Sequence, residues 1–364
     1  MNEQTARNVL LVQAIESSDV KRQVLSDDDR VYASRSANEL AQWEAADKKS
    51  ELTPALFLQK RSEQILKKLE ERTPAFAKFN APTNWLIVAG FALPVGAFLA
   101  GIFLDRIADP HRVNLLSLPL LMIILWNLTV YTVMVAGSFS RTPRIHRPDQ
   151  GFLGRMARLS IHSSRKIPQT LTSAVSRFAV DWMLLSAPLT AARAKRVVHL
   201  SSACFAVGAV VSLYARGLVS KYQAGWESTW LDADKVHAIL TGLFMPASTL
   251  FGLPGFSLAD VAALQLPQMN PSGGGAAWVH LYAGTLTLLV ILPRLLLSSA
   301  AAWTERRLSD DFPVDLGQPY FRKLTQKIGS AEPVVLRVVP YSFTLDEVRD
   351  RGLTAVAVMV LGEL

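Results

Sequence analysis

The apolar residues of this chain gather into long blocks that are separated by strongly polar stretches. A helix needs about 20 mostly apolar residues to cross the ~30 Å hydrocarbon core of a bilayer. Four blocks approach or exceed that length, and we predict a membrane-spanning helix over residues 85–104, 115–139, 197–215 and 278–302. The fold class that follows is mainly α: a polytopic helical membrane protein with about four transmembrane helices in a membrane domain over residues 85–302.

The last of these blocks is interrupted by Pro293 and Arg294. Arg294 lies about 24 Å along the helix from Trp278 at 1.5 Å per residue, so we expect its side chain to extend to the far membrane surface. No predicted span then carries an ionisable residue at mid-depth, which argues against a proton- or ion-coupled transporter.

Lys and Arg residues predict the orientation in the membrane. Between residues 141 and 196 there are 11 basic and two acidic residues, whereas residues 216–277 hold three basic and four acidic ones. Loops rich in Lys and Arg stay in the cytoplasm. We therefore predict a cytoplasmic basic loop over 140–196, an outer segment over 216–277, and both termini in the cytoplasm.

Residues 236–253 form a further apolar segment, which contains Gly242, Pro246 and Gly252. A fifth span there would place the basic C-terminal tail outside the cytoplasm. We therefore predict a re-entrant or surface-lying helix on the outer side, with a spanning helix as the alternative.

Residues 1–84 are predicted to form a cytoplasmic helical arm. Thr53 and Pro54 are typical of a helix start, and Leu58, Ile65 and Leu69 recur at helical spacing. The arm either packs on the membrane-proximal domain or serves as a docking arm for a partner.

The tail over residues 303–364 is predicted to be a small α/β unit in the cytoplasm. Residues 334–343 are rich in β-branched side chains, typical of a buried strand, and Thr344–Glu347 has the pattern of a capping box before a helix. One strand and one helix cannot bury their apolar faces alone. The tail therefore packs on the cytoplasmic helices, pairs with another chain, or belongs to a larger domain that is incomplete here.

The net charge of +8 is explained by the predicted cytoplasmic loops, and no nucleic-acid partner is expected. A basic patch within the loop is expected to lie on anionic phospholipid headgroups, at about 1 kcal/mol per cation. Its members are Arg155, Arg158, Arg165 and Lys166.

Motifs of enzymes are missing from the sequence: there is no GxxxxGK[ST], HExxH, GxSxG or CxxC pattern. We therefore predict a protein that is not an enzyme and has no cofactor. A candidate interfacial or recognition surface on the outer side comprises Tyr222, Trp226, Glu227, Trp230, Asp232, Asp234 and His237. On a helix, its three aromatic residues would share one face in the headgroup zone, as a structural element or as a binding surface.

Two alternatives use the same acidic residues. Asp234 and His237, together with His280, make a metal site conceivable, although helix capping by Asp232 or Asp234 explains the acids more simply. An enzyme that acts on lipid or envelope material is the other alternative, with Glu227 and His237 among its groups.

Within the predicted spans, small residues repeat every four positions at 92, 96 and 100 and again at 204, 208 and 212. Such stripes let helices approach closely. Asn127 is expected to donate a hydrogen bond between helices.

The stretch "RGLVSKYQAGWESTWLDADKVHAIL", continuing to "LFGLPGFSLADVAALQ", and the earlier "DPHRVNLLSLPLL" resemble a family of bacterial inner-membrane proteins classified only as a domain of unknown function. The resemblance covers roughly residues 85–303. It implies a companion of a cytoplasmic GTPase and provides no catalytic residue. We therefore predict a non-enzymatic inner-membrane anchor or signalling partner of a GTPase, with an oligomeric channel or transporter as the alternative.

Overall fold

The structure is a computed structural model, and it describes residues 1–74, 76, 85–103, 112–116, 118–139, 169–219, 223–266, 275–326, 328, 346–347 and 350–353. The fold is mainly helical, as predicted. The helices are α1 (Glu3–Ser18), α2 (Asp27–Asp47), α3 (Pro54–Arg72), α4 (Trp85–Phe103), α5 (Leu118–Phe139), α6 (Gln169–Leu185), α7 (Ala187–Val219), α8 (Ala233–Phe251), α9 (Leu258–Ala263), α10 (Gly275–Leu286), α11 (Leu292–Asp310) and α12 (Pro319–Thr325). Two short strands are β1 (Arg112–Asn114) and β2 (Gln223–Gly225).

Three helical segments are long and apolar enough to cross a membrane, over Pro119–Ser138, Ala187–Val219 and Gly275–Asp310. A membrane protein is therefore what the structure supports. The first predicted span forms α4, whose apolar part over Val88–Phe103 is shorter than the other three. The count of four spans and the side on which the termini lie stay predictions.

The apolar helices run in alternating directions. Gly101 and Gly90 of α4 lie beside Phe205 and Val197 of α7 respectively, so these two helices are parallel. Along α7, successive residues meet successively earlier residues of the α10–α11 helix, which is therefore antiparallel to α7: the hydroxyl of Ser298 donates to the carbonyl of Arg196, and Tyr214 bonds to His280.

The third predicted span, over residues 197–215, lies within a longer helix. Helix α7 begins at Ala187, within the predicted loop over 140–196, and that loop also contains α6. The charged residues there do not end the helix, because Arg193 and Arg196 form ion pairs with glutamates of other helices. Residues 140–168 lie outside the described part of the chain.

Pro293 does not break the last span. The π-helical turn Thr287–Ile291 joins α10 to α11 just before the proline. Such a turn shifts the hydrogen-bond ladder, and a proline at the start of α11 needs no amide donor. The apolar helix therefore continues from Gly275 to Asp310.

Helix α4 contacts α7 at a pair of glycines. A Cβ atom on Gly101 would lie 2.1 Å from the carbonyl oxygen of Phe205, and one on Gly208 would lie 2.1 Å from that of Phe98. The predicted stripe on α7 is confirmed in this contact, since the hydroxyl of Ser212 also donates to the carbonyl of Ile102 at 2.9 Å. The predicted stripe on α4 was wrong, because Gly96 has open space around it and Gly101 makes the contact instead.

At the opposite end of the spans from α1, a small cap comprises β1, β2, α8 and α9. The two strands pair in parallel, with Val113 opposite Ala224. Helix α8 ends at Gly252, which has a left-handed backbone conformation (φ 62°). Glycine adopts this conformation without a steric clash because it has no Cβ atom. Helix α8 packs Leu240, Phe244 and Ala247 inward, with Phe244 against Tyr282 of α10. Whether α8 is re-entrant or lies on a surface stays a prediction; it is not among the three candidate spans.

The N-terminal helices form a bundle of α1, α2 and α3 with α6 and α12. Thr53 caps α3 by accepting from the amide of Leu56, and the predicted positions Leu58, Ile65 and Leu69 are buried. Apolar side chains of α1 and α3 pack on α6, which leads directly into α7. The arm therefore packs on the helix adjoining the membrane, the first of the two predicted alternatives.

Some ion pairs in the bundle have a buried carboxylate, and that of Asp29 is one of them. The carboxylate of Asp29 accepts from both terminal nitrogens of Arg72, at 2.6 and 2.9 Å, and lies 2.5 Å from Lys68. The hydrogen bonds from Arg72 hold the pKa of Asp29 well below its usual range. These contacts tie the first turn of α2 to the last turns of α3.

The tail contributes α12 to this bundle, where Phe321 is fully buried. That packing agrees with the first of the three alternatives for the tail. The predicted strand over 334–343 lies outside the described residues. Glu347 and residues 350–353 are helical, as the capping-box pattern predicted for the segment after it.

We expect Gly208→Ala and Gly101→Ala to destabilise the protein by about 1–3 kcal/mol each, because the new methyl group would push the two helix backbones apart. The measurement is the free energy of unfolding in mixed detergent micelles. Gly96→Ala is the matched control, since nothing lies within 4 Å of its added Cβ. Equal stability of the Gly208 and Gly96 variants would contradict the helix contact.

Candidate functional site

Arg294 is buried among the apolar helices, with 2% of its surface exposed. Its Nε donates to Oδ1 of Asn127 in α5 at 2.7 Å, and its Nη1 donates to Nδ1 of His199 in α7 at 2.9 Å. The expectation that this side chain extends to the membrane surface was wrong. The reason is that two neighbouring helices present polar acceptors to the guanidinium. Its hydrogen bonds are therefore satisfied within the helices, and the side chain does not need to extend to the membrane surface.

The acceptors of Arg294 are themselves oriented. The amide nitrogen of Asn127 donates to the carbonyl of Ile123 in its own helix at 2.7 Å, which leaves Oδ1 for the arginine. Because a guanidinium has only donors, Nδ1 of His199 must accept and the neutral ring carries its proton on Nε2. The ring of Tyr131 lies 5.2 Å from the guanidinium carbon, on the same helix as Asn127. We call these four residues the arginine centre.

The arginine centre lies near the middle of the helices that build it. Asn127 is nine residues from the first residue of α5 and twelve from its last. Arg294 lies about 28 Å from Gly275 along a helix that continues for about 24 Å beyond it. Asn127 does join helices, as predicted, but through its oxygen as an acceptor and not as a donor. Among the described residues, no carboxylate forms an ion pair with Arg294, so the charge is held by neutral groups and an aromatic ring.

This centre was missed by sequence reasoning. The available signal was a single arginine in an apolar block, with Asn127 and His199 in two others. Polar residues inside membrane helices tend to face each other in the bundle interior. This rule predicts the contact of Arg294 with Asn127 and His199, whereas the expectation that arginine extends along the helix does not.

A second polar cluster joins the N-terminal bundle to the apolar helices. Arg193 of α7 donates to both carboxylate oxygens of Glu3 in α1, at 2.9 and 2.6 Å, and to Glu305 of α11 at 3.3 Å. Arg196 lies 3.2 Å from the same Glu305. We call these four residues the junction; it fixes the start of α1 to α7 and α11 together.

The predicted outer surface is not formed as expected. Trp226 is fully buried in the cap: its indole donates to the carbonyl of Val261 at 2.7 Å, and its backbone pairs with Leu264 and Leu266. The preceding residues form β2, so the predicted helical face of three aromatics was wrong. A strand forms because β1 offers a parallel partner that sequence spacing does not reveal. Tyr222 lies outside the described residues.

The other described members of that predicted surface lie between the end of β2 and the first turns of α8. Glu227, Asp234 and Trp230 are exposed, Trp230 to 86%. Asp232 stands at the N-cap of α8, but its carboxylate binds Lys235 at 2.9 Å and does not cap the helix. The alternative of an enzyme that would use Glu227 and His237 stays a prediction.

The conceivable metal site is not formed either. His237 is edge-on to the ring of Phe256, with its Nε2 3.4 Å from that residue's carbonyl oxygen. His280 is bonded through Nδ1 to the hydroxyl of Tyr214 at 2.8 Å. In the described part of the chain, no group of three or more His, Cys, Asp or Glu residues is arranged to hold a metal ion. The basic patch of Arg155, Arg158, Arg165 and Lys166 falls outside the described residues and stays a prediction.

Comparison with known proteins gives one match. A family model described as a protein of unknown function (DUF2868) matches residues 156–334, slightly less than half of the chain. No curated protein and no solved structure matches the chain. The matched range includes α7, the parts β2, α8 and α9 of the cap, and the α10–α11 helix, so it contains His199 and Arg294 of the arginine centre.

We expect the arginine centre to show energetic coupling. Asn127→Leu and Arg294→Met should each cost about 1–3 kcal/mol, because each leaves a buried polar partner without its hydrogen bond. The double variant should cost less than the sum by about 1–2 kcal/mol. The measurement is a double-mutant cycle of the free energies of unfolding in mixed detergent micelles, for the wild-type protein, the two single variants and the double variant. Strictly additive free-energy changes would contradict the contact.

Proposed function

We propose that this protein is a non-enzymatic membrane anchor that holds a soluble partner at the bilayer, and that the N-terminal bundle is the part that the partner binds. The observation that carries the proposal is an exposed aromatic face on α2. Trp43 is 77% exposed and Tyr32 is 60% exposed. Exposed tryptophan and tyrosine residues are enriched at protein–protein contact sites.

This face is distinct from the side of α2 that packs in the bundle. Ala33, Ala37 and Ala41 are buried on one side, whereas Tyr32 and Trp43 are eleven residues apart and share the opposite side. Small residues on the inner side let α2 approach the other helices closely. Trp43 therefore contributes little to the packing of the bundle itself, whereas the ring of Tyr32 also lies 5.2 Å from the ammonium group of Lys68 in α3.

The junction supports an anchoring role. A partner bound to α2 would be linked through the bundle and Arg193 to α7 and α11. Arginine that binds a carboxylate with two parallel hydrogen bonds fixes geometry as well as energy. Force or conformational change at the bundle would therefore reach the helices that also hold the arginine centre.

We propose that the partner is a cytoplasmic GTPase and that the membrane is the bacterial inner membrane. The resemblance of the outer segment to a family of GTPase companions supports the GTPase as the partner. The excess of Lys and Arg in residues 141–196, at the end of the spans where α7 begins, supports the bacterial inner membrane with this end in the cytoplasm. The bundle and the start of α7 would then lie in the cytoplasm.

We expect Trp43→Ala to reduce recovery of the GTPase with the detergent-extracted protein by about tenfold, as for a central contact residue. Trp230→Ala is the matched control, since that tryptophan is also largely exposed, at 86%, but belongs to the cap at the other end of the apolar helices. Pulldown is carried out with a non-hydrolysable GTP analogue and with GDP. Failure to recover a GTPase in either condition would refute the proposal, and so would a loss caused by the Trp230 variant alone.

The arginine centre favours a second candidate, an oligomeric channel or transporter for anions. A buried cation within a membrane helix attracts anions to a pathway beside it. Chloride flux into liposomes that contain the purified protein should then exceed that of empty vesicles and fall in Arg294→Gln, but not in Lys235→Gln on the cap surface. Flux at the level of empty vesicles would remove this candidate.

A further inference from the structure

A cleft of about 930 Å³ opens on the N-terminal bundle, between α2 and the α12 segment. It is separate from the aromatic face of α2, the junction and the arginine centre. Its volume lies at the upper end of the range for small-molecule sites in proteins. Side chains from α1, α2, α3 and α12 line it, so that a bound molecule would contact four helices.

The floor of the cleft is a paired polar network. Arg61 is buried, with both terminal nitrogens within 3.0 Å of the carboxylate of Glu16, and the hydroxyl of Tyr320 donates to the same carboxylate. Burial alone would lower the pKa of Arg61, but the hydrogen bonds that Arg61 donates to the carboxylate of Glu16 raise it. The floor is therefore rigid, and its negative charge is already neutralised.

The walls of the cleft carry three further cationic side chains, Arg30, Arg35 and Lys323. Arg30 is half-buried; its Nη2 is bound to Asp19, whereas its Nε is shielded from solvent, lies 3.8 Å from Glu16 and has no hydrogen-bond partner. Arg35 of α2 and Lys323 of α12 are exposed at the two sides of the opening. Among the described residues, neither of these two has a carboxylate within ion-pair distance.

Four cationic and two carboxylate side chains line the cleft, and the two carboxylates, Glu16 and Asp27, are already paired with arginines. Two cations without a carboxylate partner among the described residues, Arg35 and Lys323, stand at the opening together with Arg30, which is paired only in part. This arrangement suits a ligand with more than one negative charge, because guanidinium and ammonium groups bind phosphate oxygens well. Val31, Leu324 and Ile328 add an apolar part to the lining, which can hold the organic portion of such a ligand.

The position of the cleft distinguishes a soluble ligand from a lipid headgroup. Glu16 lies about 20 Å along α1 from Glu3 at the junction. Helix α1 packs along α6, whose backbone continues into α7 through hydrogen bonds at Ser186, so its far end points away from the apolar helices. A phosphate group of a membrane lipid would therefore not reach the opening.

We infer that this cleft binds a soluble, phosphate-bearing small molecule, with Arg30, Arg35 and Lys323 as the groups that hold its phosphates. Because Lys323 stands on α12, the bound molecule would tie α12 to α2. It would thereby stabilise the contact between the segment after α11 and the N-terminal bundle. This inference does not depend on the identity of the soluble partner.

The test is isothermal titration calorimetry of the full-length protein in neutral detergent, with sodium pyrophosphate and with ATP as the two probes. ATP is chosen in place of GTP because a GTPase that co-purified with the protein would bind ATP only weakly. We expect binding of at least one of these probes, and a loss of affinity of about tenfold or more in Arg35→Gln/Lys323→Gln. Lys67→Gln is the matched control, because Lys67 is an exposed cation of α3 outside the cleft. Both altered side chains are exposed, so the fold should be retained, which circular dichroism checks.

Hydrogen exchange provides a second readout: amides of α12 should exchange more slowly with the bound probe in the wild-type protein and not in the double variant. The inference is overturned by the absence of binding for both probes, or by equal affinity of the wild-type protein and the double variant. It is also overturned by an interaction seen only with phosphatidylglycerol vesicles, since that result would assign the cations to a lipid surface.

Discussion

The burial of one arginine among apolar helices constrains the arrangement of the whole membrane region. A guanidinium cannot be left in a hydrocarbon environment without acceptors, because its desolvation costs several kcal/mol. Asn127 of α5 and His199 of α7 provide those acceptors for Arg294 of α11. Three helices must therefore keep a fixed register, and a slide of one turn along any of them would leave the cation unpaired.

The same register passes to the two ends of the helices. Toward the N-terminal bundle, Arg193 lies six residues before His199 on α7 and meets Glu305 of α11 and Glu3 of α1. Toward the cap, Tyr282 of α10 donates to the backbone carbonyl of Leu115 and packs against Phe244 of α8. Polar contacts thus join the bundle to α7 and α11 at one end of the helices, and polar and aromatic contacts join the cap to α10 at the other.

The helices of the N-terminal bundle are held together by other interactions than the apolar helices of the spans. The bundle helices are joined by carboxylate–guanidinium pairs such as Glu16–Arg61 and Asp29–Arg72, together with an alanine-lined face on α2. Those pairs leave α2 with an aromatic face and a cationic cleft that packing does not use. A protein that only crossed a membrane would need neither, which is why the proposed partner and ligand are both placed on this bundle.

The sequence by itself determined the helical membrane class, the start of α3 at Pro54 and the buried positions of its apolar face, because these depend on local periodicity and capping. It also indicated the close approach of α7 through Gly208. Only the tertiary structure decided that Gly101 meets Gly208, that Trp226 lies in a strand-paired core, and that Arg294 turns inward. Each of those depends on what a distant segment presents at the point of contact: a backbone carbonyl, a parallel strand, or an amide oxygen and an imidazole nitrogen. Spacing along the chain does not encode these partners.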